Sequence, residues 1–155
     1  MISPELLRRF SFFGLMSEQD LYNIAMIAEE VTADAGTVLF EECQPASALY
    51  LLLDGSVDLY QISEEEYHPK AKKEFLVGEI NPGEIFSISS LIEPYVLNAS
   101  GRVSKPSRFV KFDAPALRQL SNQNPQLEIL LMRQVAKALM ERLAYTRVQL
   151  AAAWA

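Results

Sequence analysis

The 155-residue sequence holds a single cysteine and a single histidine. Cys43 has no partner for an internal disulfide, which excludes the stapled scaffolds of small secreted proteins. The N-terminus lacks the basic start, apolar run and small-residue cleavage site of a secretory signal, so a reducing, cytoplasmic setting is expected. His68 alone cannot build the multi-histidine centre of a cupin-type metalloenzyme, and no metal site is expected. Long apolar runs are also missing. Glu29, Glu30, Asp54 and Lys111 interrupt each stretch that approaches the roughly 18–20 residues a membrane crossing needs, so no membrane contact is expected. Positive charge is scarce: 14 Lys and Arg stand against 20 Asp and Glu, for a net charge of −6. Such a field repels phosphate backbones, and no direct nucleic-acid partner is expected.

What is present is ordinary globular material. Half of the residues are hydrophobic, 22% are charged and 10% are aromatic, which suffices for one core in one domain spanning 1–155. Ser3-Pro4-Glu5 reads as an N-cap followed by proline at the first helical position, leading into Phe10, Phe12 and Phe13. Ser17 and Asp20 have capping-box spacing, and Leu21, Ile24, Ala25 and Ala28 recur at three and four residues, predicting a helix with one core face. Residues 1–30 are therefore an N-terminal helical segment.

From Val31 the pattern becomes short apolar runs punctuated by Gly36, Asp54-Gly55, Gly78 and Pro82-Gly83, and 31–112 reads as β. Two apolar segments between Leu49 and Tyr60 flank Asp54-Gly55, predicting a hairpin with a tight turn there. A second hairpin is expected from Gln61 to Lys73. Its Glu64, Glu65 and Glu66 and its Lys70, Lys72 and Lys73 are either a solvated loop or a partner surface. Strands resume at Ala99–Val103 and Arg108–Phe112. Residues 113–155 are C-terminal helices: Asp113 caps a short one with Pro115 in its first turn, and Asn124-Pro125 opens another. No Gly or Pro follows as far as Trp154, so this last helix is about 30 residues and roughly 45 Å long.

Three blocks in fixed order resemble the cyclic-nucleotide-binding domains of the catabolite-activator family and of kinase and channel regulators. They are Ala35-Gly36-Thr37-Val38-Leu39-Phe40, the run from Ala48 through Asp54-Gly55 to Tyr60, and Val77-Gly78-Glu79-Ile80-Asn81-Pro82-Gly83-Glu84-Ile85-Phe86. The resemblance implies a mainly β fold with flanking α, an antiparallel, jelly-roll-like β-roll with N-terminal helices and a long C-terminal helix. It also implies a regulatory sensor domain and no enzyme. In the family the segment after the Phe at Phe86 is a short helix and loop whose N–H groups hold a cyclic phosphate, the physics of an anion at a helix start.

The resemblance places the ligand site at Phe86, Ser87, Ile88, Ser89, Ser90, Leu97, Asn98, Ala99 and Ser100, with Thr146 where the family's last helix meets the base. The family's ribose-binding Glu falls on Ile88 and its phosphate-binding Arg on Leu97. The cassette is thus degenerate, and cyclic nucleotide binding is expected to be weak or altered. Arg102 is the one candidate to replace the missing cation, although alternation along a strand directs it elsewhere. The hydroxyls and amide that remain serve either a ligand or local turns and caps.

On the last helix Met132, Ala136, Leu139, Leu143, Thr146, Leu150 and Ala153 alternate in steps of four and three, while Leu127, Leu131 and Val135 form a second stripe. The second stripe is expected to pack on the roll. The first is expected to pair with its twin in a homodimer through Met132, Leu139, Leu143 and Leu150; a monomer whose helix folds back entirely is the alternative. Thr146 at such a position also reads as plain packing. The activators continue into a helix-turn-helix where this sequence reaches Ala155, so the sequence leaves two alternatives: signalling through a separate protein effector, or a fragment of a longer regulator. Cys43 stands in a turn where the family commonly has Gly, with no nearby base, and reads as structural. No cofactor is expected beyond a small-molecule ligand such as a cyclic nucleotide. Two readings remain: a ligand-gated sensor, or a ligand-free protein-interaction module on the same fold.

Overall fold

Ser3 accepts the Glu5 N–H and starts α1 (Pro4–Arg8), and Ser17 accepts the Asp20 N–H at 3.1 Å and starts α2 (Glu18–Met26). Each cap satisfies an amide that the first helical turn leaves without a partner. The computed structural model describes residues 2–65 and 68–155, with side chains placed for 2–62 and 73–155. Leu21, Ile24 and Ala25 are fully buried on one face of α2, as their spacing predicts.

Among the described residues six strands follow: β1 (Ala28–Ala33), β2 (Val38–Phe40), β3 (Ala48–Glu65), β4 (His68–Ile80), β5 (Ile85–Phe86) and β6 (Ser100–Asp113). All pair antiparallel, in the order β1-β6-β3-β4, with β2 added on β6 and β5 on β3. The strand region begins at Ala28 rather than Val31. The architecture is the expected antiparallel roll with flanking helices and a long last helix.

Asp54-Gly55 is not a hairpin turn. β3 stays paired to β6 on both sides of it, with Leu52 opposite Phe109 before and Val57 opposite Val103 after, and the register shifts between them. Gly55, at φ +99°, bends the strand without reversing it, and Ser107 of β6 fits against the bend, its Oγ accepting the Ser56 N–H at 3.1 Å. The two strands expected at 99–103 and 108–112 are likewise one bent strand, β6. Paired bends of this kind are how a long ribbon curls onto itself.

Curling gives β3 two buried faces. Leu49, Leu51 and Leu53 join the helices in one apolar cluster, while Tyr50, Leu52 and Val57 join Phe86 and Phe109 in another inside the roll. This is why Ala48–Leu53 reads as an unbroken apolar run instead of an alternation.

The hairpin expected at 61–73 is formed by β3 and β4, which pair from Val57 opposite Ile80 to Ser63 opposite Lys73. Glu66 and Tyr67, and the side chains of Glu64, Glu65, Lys70 and Lys72, lie outside the described residues.

Asp113 accepts the Ala116 N–H to start α3 (Ala114–Gln123), and Asn124 accepts the Leu127 N–H to start α4 (Pro125–Trp154), 30 residues long. Leu127, Leu131 and Val135 are buried against the roll and α2. No helix among the described residues is long and apolar enough to cross a membrane.

Candidate functional site

β5 ends at Phe86, whose buried ring stacks on Tyr50 with centroids 4.9 Å apart and meets Phe109 edge-on. This aromatic cluster fixes where the chain leaves the sheet. Ser87 then enters the left-handed region at φ +62°, and Ile88–Leu91 form one 3-10 turn. The facing wall is Leu97, Asn98 and Ala99, just before β6. It is held by Leu97 donating to the Gln44 carbonyl and accepting from the Cys43 N–H, while Gln61 donates to the Asn98 carbonyl at 2.8 Å.

Between these walls lies a cavity of about 240 Å³. Ser87, Ile88, Ser89 and Ile92 line it from the first segment and Leu97, Asn98 and Ala99 from the second, together with Phe40, Leu59, and Leu139 and Arg142 of α4. Ile88 and Leu97 are both nearly buried, at 6% and 5% exposure, so apolar side chains occupy the two positions where the resemblance places Glu and Arg.

Six of the ten site residues anticipated from the resemblance line this cavity: Ser87, Ile88, Ser89, Leu97, Asn98 and Ala99. The other four lie outside its lining. Phe86 sits beneath it in the aromatic core, and Ser90 is buried with no hydrogen-bond partner for its hydroxyl among the described residues. Ser100 Oγ is occupied, accepting the Glu42 N–H at 2.9 Å. Thr146 is exposed on α4 and donates to the Arg142 carbonyl one turn back, at 2.9 Å.

Arg102 faces away from the cavity. Its guanidinium binds both oxygens of Glu74, at 3.1 and 2.9 Å, and lies over the Tyr60 ring at 4.4 Å. The bidentate bond favours both charged forms, raising the arginine pKa and lowering that of Glu74. Alternation along β6 thus directs Arg102 outward, as expected.

The cation at the cavity is Arg142, which the sequence reading missed. It is half-buried, and its Nη2 donates to the Ile85 carbonyl. Burial lowers its pKa, and the charge of Glu84 opposes that shift. A signal was available: Arg142 precedes Thr146 by four residues, so any helix that turns Thr146 toward the roll brings Arg142 there too. Arg142 also borders a cleft of about 270 Å³ between β4 and α4, shared with Glu79, Glu84, Glu141 and Tyr145.

Of the anticipated dimer residues, Met132 packs partly against the core, whereas Leu139, Leu143 and Leu150 are 50%, 49% and 58% exposed. Cys43 is exposed, with φ +68°. Among the described residues no three metal-ligating side chains cluster.

A family model described as cyclic nucleotide-binding domain matches residues 30–124. Among solved structures, a Geobacter metallireducens protein assigned to cyclic nucleotide binding is 38% identical, with TM-score 0.80 over 92% of this chain and 99% of that one. A cyclic nucleotide-binding domain from Methylobacillus flagellatus is 22% identical, with TM-score 0.72 over 94% of this chain and 78% of that one. The sensor domain of the Pseudomonas aeruginosa transcriptional regulator DNR is 24% identical, with TM-score 0.68 over 90% of each chain. These last two establish likeness of fold alone. No curated protein matches the sequence.

Proposed function

The chain belongs to the cyclic nucleotide-binding domain family, and on that premise we propose that it is a non-catalytic, ligand-gated sensor of the cytoplasm whose cassette no longer grips cyclic AMP or cyclic GMP well. The observation that carries this reading is the cavity. Ile88 and Leu97 replace the polar anchors without filling the space between them, and about 240 Å³ remains open beneath α4. A pure interaction module has no need of such a space, because a closed pocket packs better and is more stable.

The loss of nucleotide affinity follows from the replacements. A ribose hydroxyl or phosphate desolvated against Ile88 and Leu97 regains no hydrogen bond there, and a charge-assisted bond to phosphate is worth about 1.5–3 kcal/mol. Wild-type affinity should therefore be at least about tenfold lower than that of a cassette with both anchors. Output passes through α4, by homodimerisation along Leu139, Leu143 and Leu150 and then to a separate protein effector.

Isothermal titration of both nucleotides into wild type and into the double variant Ile88→Glu, Leu97→Arg tests the cassette. Wild type should bind weakly or not at all. The double variant should gain up to roughly a hundredfold, limited by how well the new side chains are held in place. Tight wild-type binding would refute the degenerate-cassette reading. A folded double variant that still ignores both nucleotides would favour the interaction module.

A further inference from the structure

Building on the open cavity of the preceding proposal, we infer that it accepts a small apolar molecule bearing one acid group, and that Arg142 of α4 is the residue that holds the acid. The walls are mainly apolar, with Phe40, Leu59, Ile88, Leu97 and Leu139 all in the lining. A polar ligand desolvated there loses water contacts and regains few. The volume of about 240 Å³ also lies below the roughly 300–1,000 Å³ of clefts that take drug-sized ligands, which selects a compact occupant.

Arg142 sets the occupant's charge. A guanidinium has five N–H donors, and among the described residues this one makes a single hydrogen bond, to the Ile85 carbonyl, and no ion pair. A half-buried cation has lost part of its water and gains from an anion beside it; the same partial burial lowers its pKa. A carboxylate entering from the cavity side presents two oxygens to the planar fork, the geometry in which arginine binds most strongly.

The groups on the other side of Arg142 limit the charge to one. Glu79, Glu84 and Glu141 border the outer cleft, and none is within ion-pair distance of the guanidinium. With Lys137 in the adjoining cleft, the surroundings of Arg142 hold three carboxylates against one ammonium, which favours a monoanion there over a dianion or a polyphosphate. The hydroxyls of Ser87 and Ser89 remain to orient a polar substituent.

The test is titration calorimetry of the 155-residue protein with octanoate and phenylacetate, and with the uncharged octanamide and phenylacetamide. Wild type, Arg142→Gln and Arg142→Lys are compared, with thermal melts to establish that each is folded. The acids should bind wild type at least about tenfold more tightly than the amides; Arg142→Gln should erase that preference and Arg142→Lys should keep part of it. Amides binding as well as acids, or Arg142→Gln retaining the preference, would overturn the assignment of Arg142 and leave the cavity reading intact. If neither class binds while the Ile88→Glu, Leu97→Arg protein takes up cyclic AMP, the cavity is usable and the ligand class is wrong. If none of these proteins binds any of these compounds, the cavity reading falls as well.

Discussion

Four residues show how local chemistry shapes this molecule. Gly55 holds φ +99° while Ser107 packs against its α-carbon so closely that an added Cβ would lie 2.1 Å from Ser107 Oγ. Gly55→Ala therefore combines backbone strain of about 1–3 kcal/mol with an overpacking cost of similar size. Urea unfolding should show a stability loss of roughly 2–4 kcal/mol, and a loss below about 1 kcal/mol would mean that β3 and β6 part easily at the bend. The apolar character of Ile88 and Leu97 is legible in the sequence because side-chain type does not depend on placement: neither side chain can bond a sugar or a phosphate. Arg142 was not legible, because its role depends on which way a helix far along the chain faces the cassette.

At the scale of elements, caps read clearly and bends did not. Ser3, Ser17, Asp113 and Asn124 each start the helix expected of them, since a cap involves only residues two or three apart. Asp54-Gly55 has the sequence of a reversal because a glycine at positive φ serves a turn and a bulge equally, and only pairing with the distant β6 separates the two. α4 divides in the middle. Its first half is anchored by Leu127, Leu131 and Val135, while Leu139, Met140, Leu143, Val148, Leu150 and Trp154 are exposed along its second half. A solitary helical stretch of that length is only marginally stable in water, so a covering partner is expected, and a second copy fits the four-and-seven spacing of Leu139, Leu143 and Leu150. Leu143→Asp would bury an unpaired charge in that seam. Sedimentation at micromolar concentration should show a dimeric wild type and a monomeric variant. A monomeric wild type, or a variant that stays dimeric, would refute the seam.

The whole molecule joins cavity and seam through α4. Leu139 lines the cavity and stands in the proposed dimer stripe, and three residues on Arg142 fastens the same helix to Ile85 at the start of β5. An acid drawn to Arg142 would add a second tie between α4 and the roll, holding the exposed half of the helix at a fixed angle. Ordering that half in advance removes part of what dimerisation otherwise costs in lost freedom. Binding and dimerisation are then linked and, by thermodynamic reciprocity, each strengthens the other by the same factor. Saturating octanoate should accordingly tighten the dimer dissociation constant measured by analytical ultracentrifugation, by about 5–150-fold if the coupling is of ordinary size. Arg142→Gln should remove the ligand's effect and should weaken the ligand-free dimer only by what the tie to Ile85 contributes, because its side chain reaches toward the roll and not along the Leu139, Leu143 and Leu150 stripe. A dissociation constant unmoved by saturating ligand would mean that α4 is already fixed in the ligand-free protein, leaving the cavity without a route to the seam.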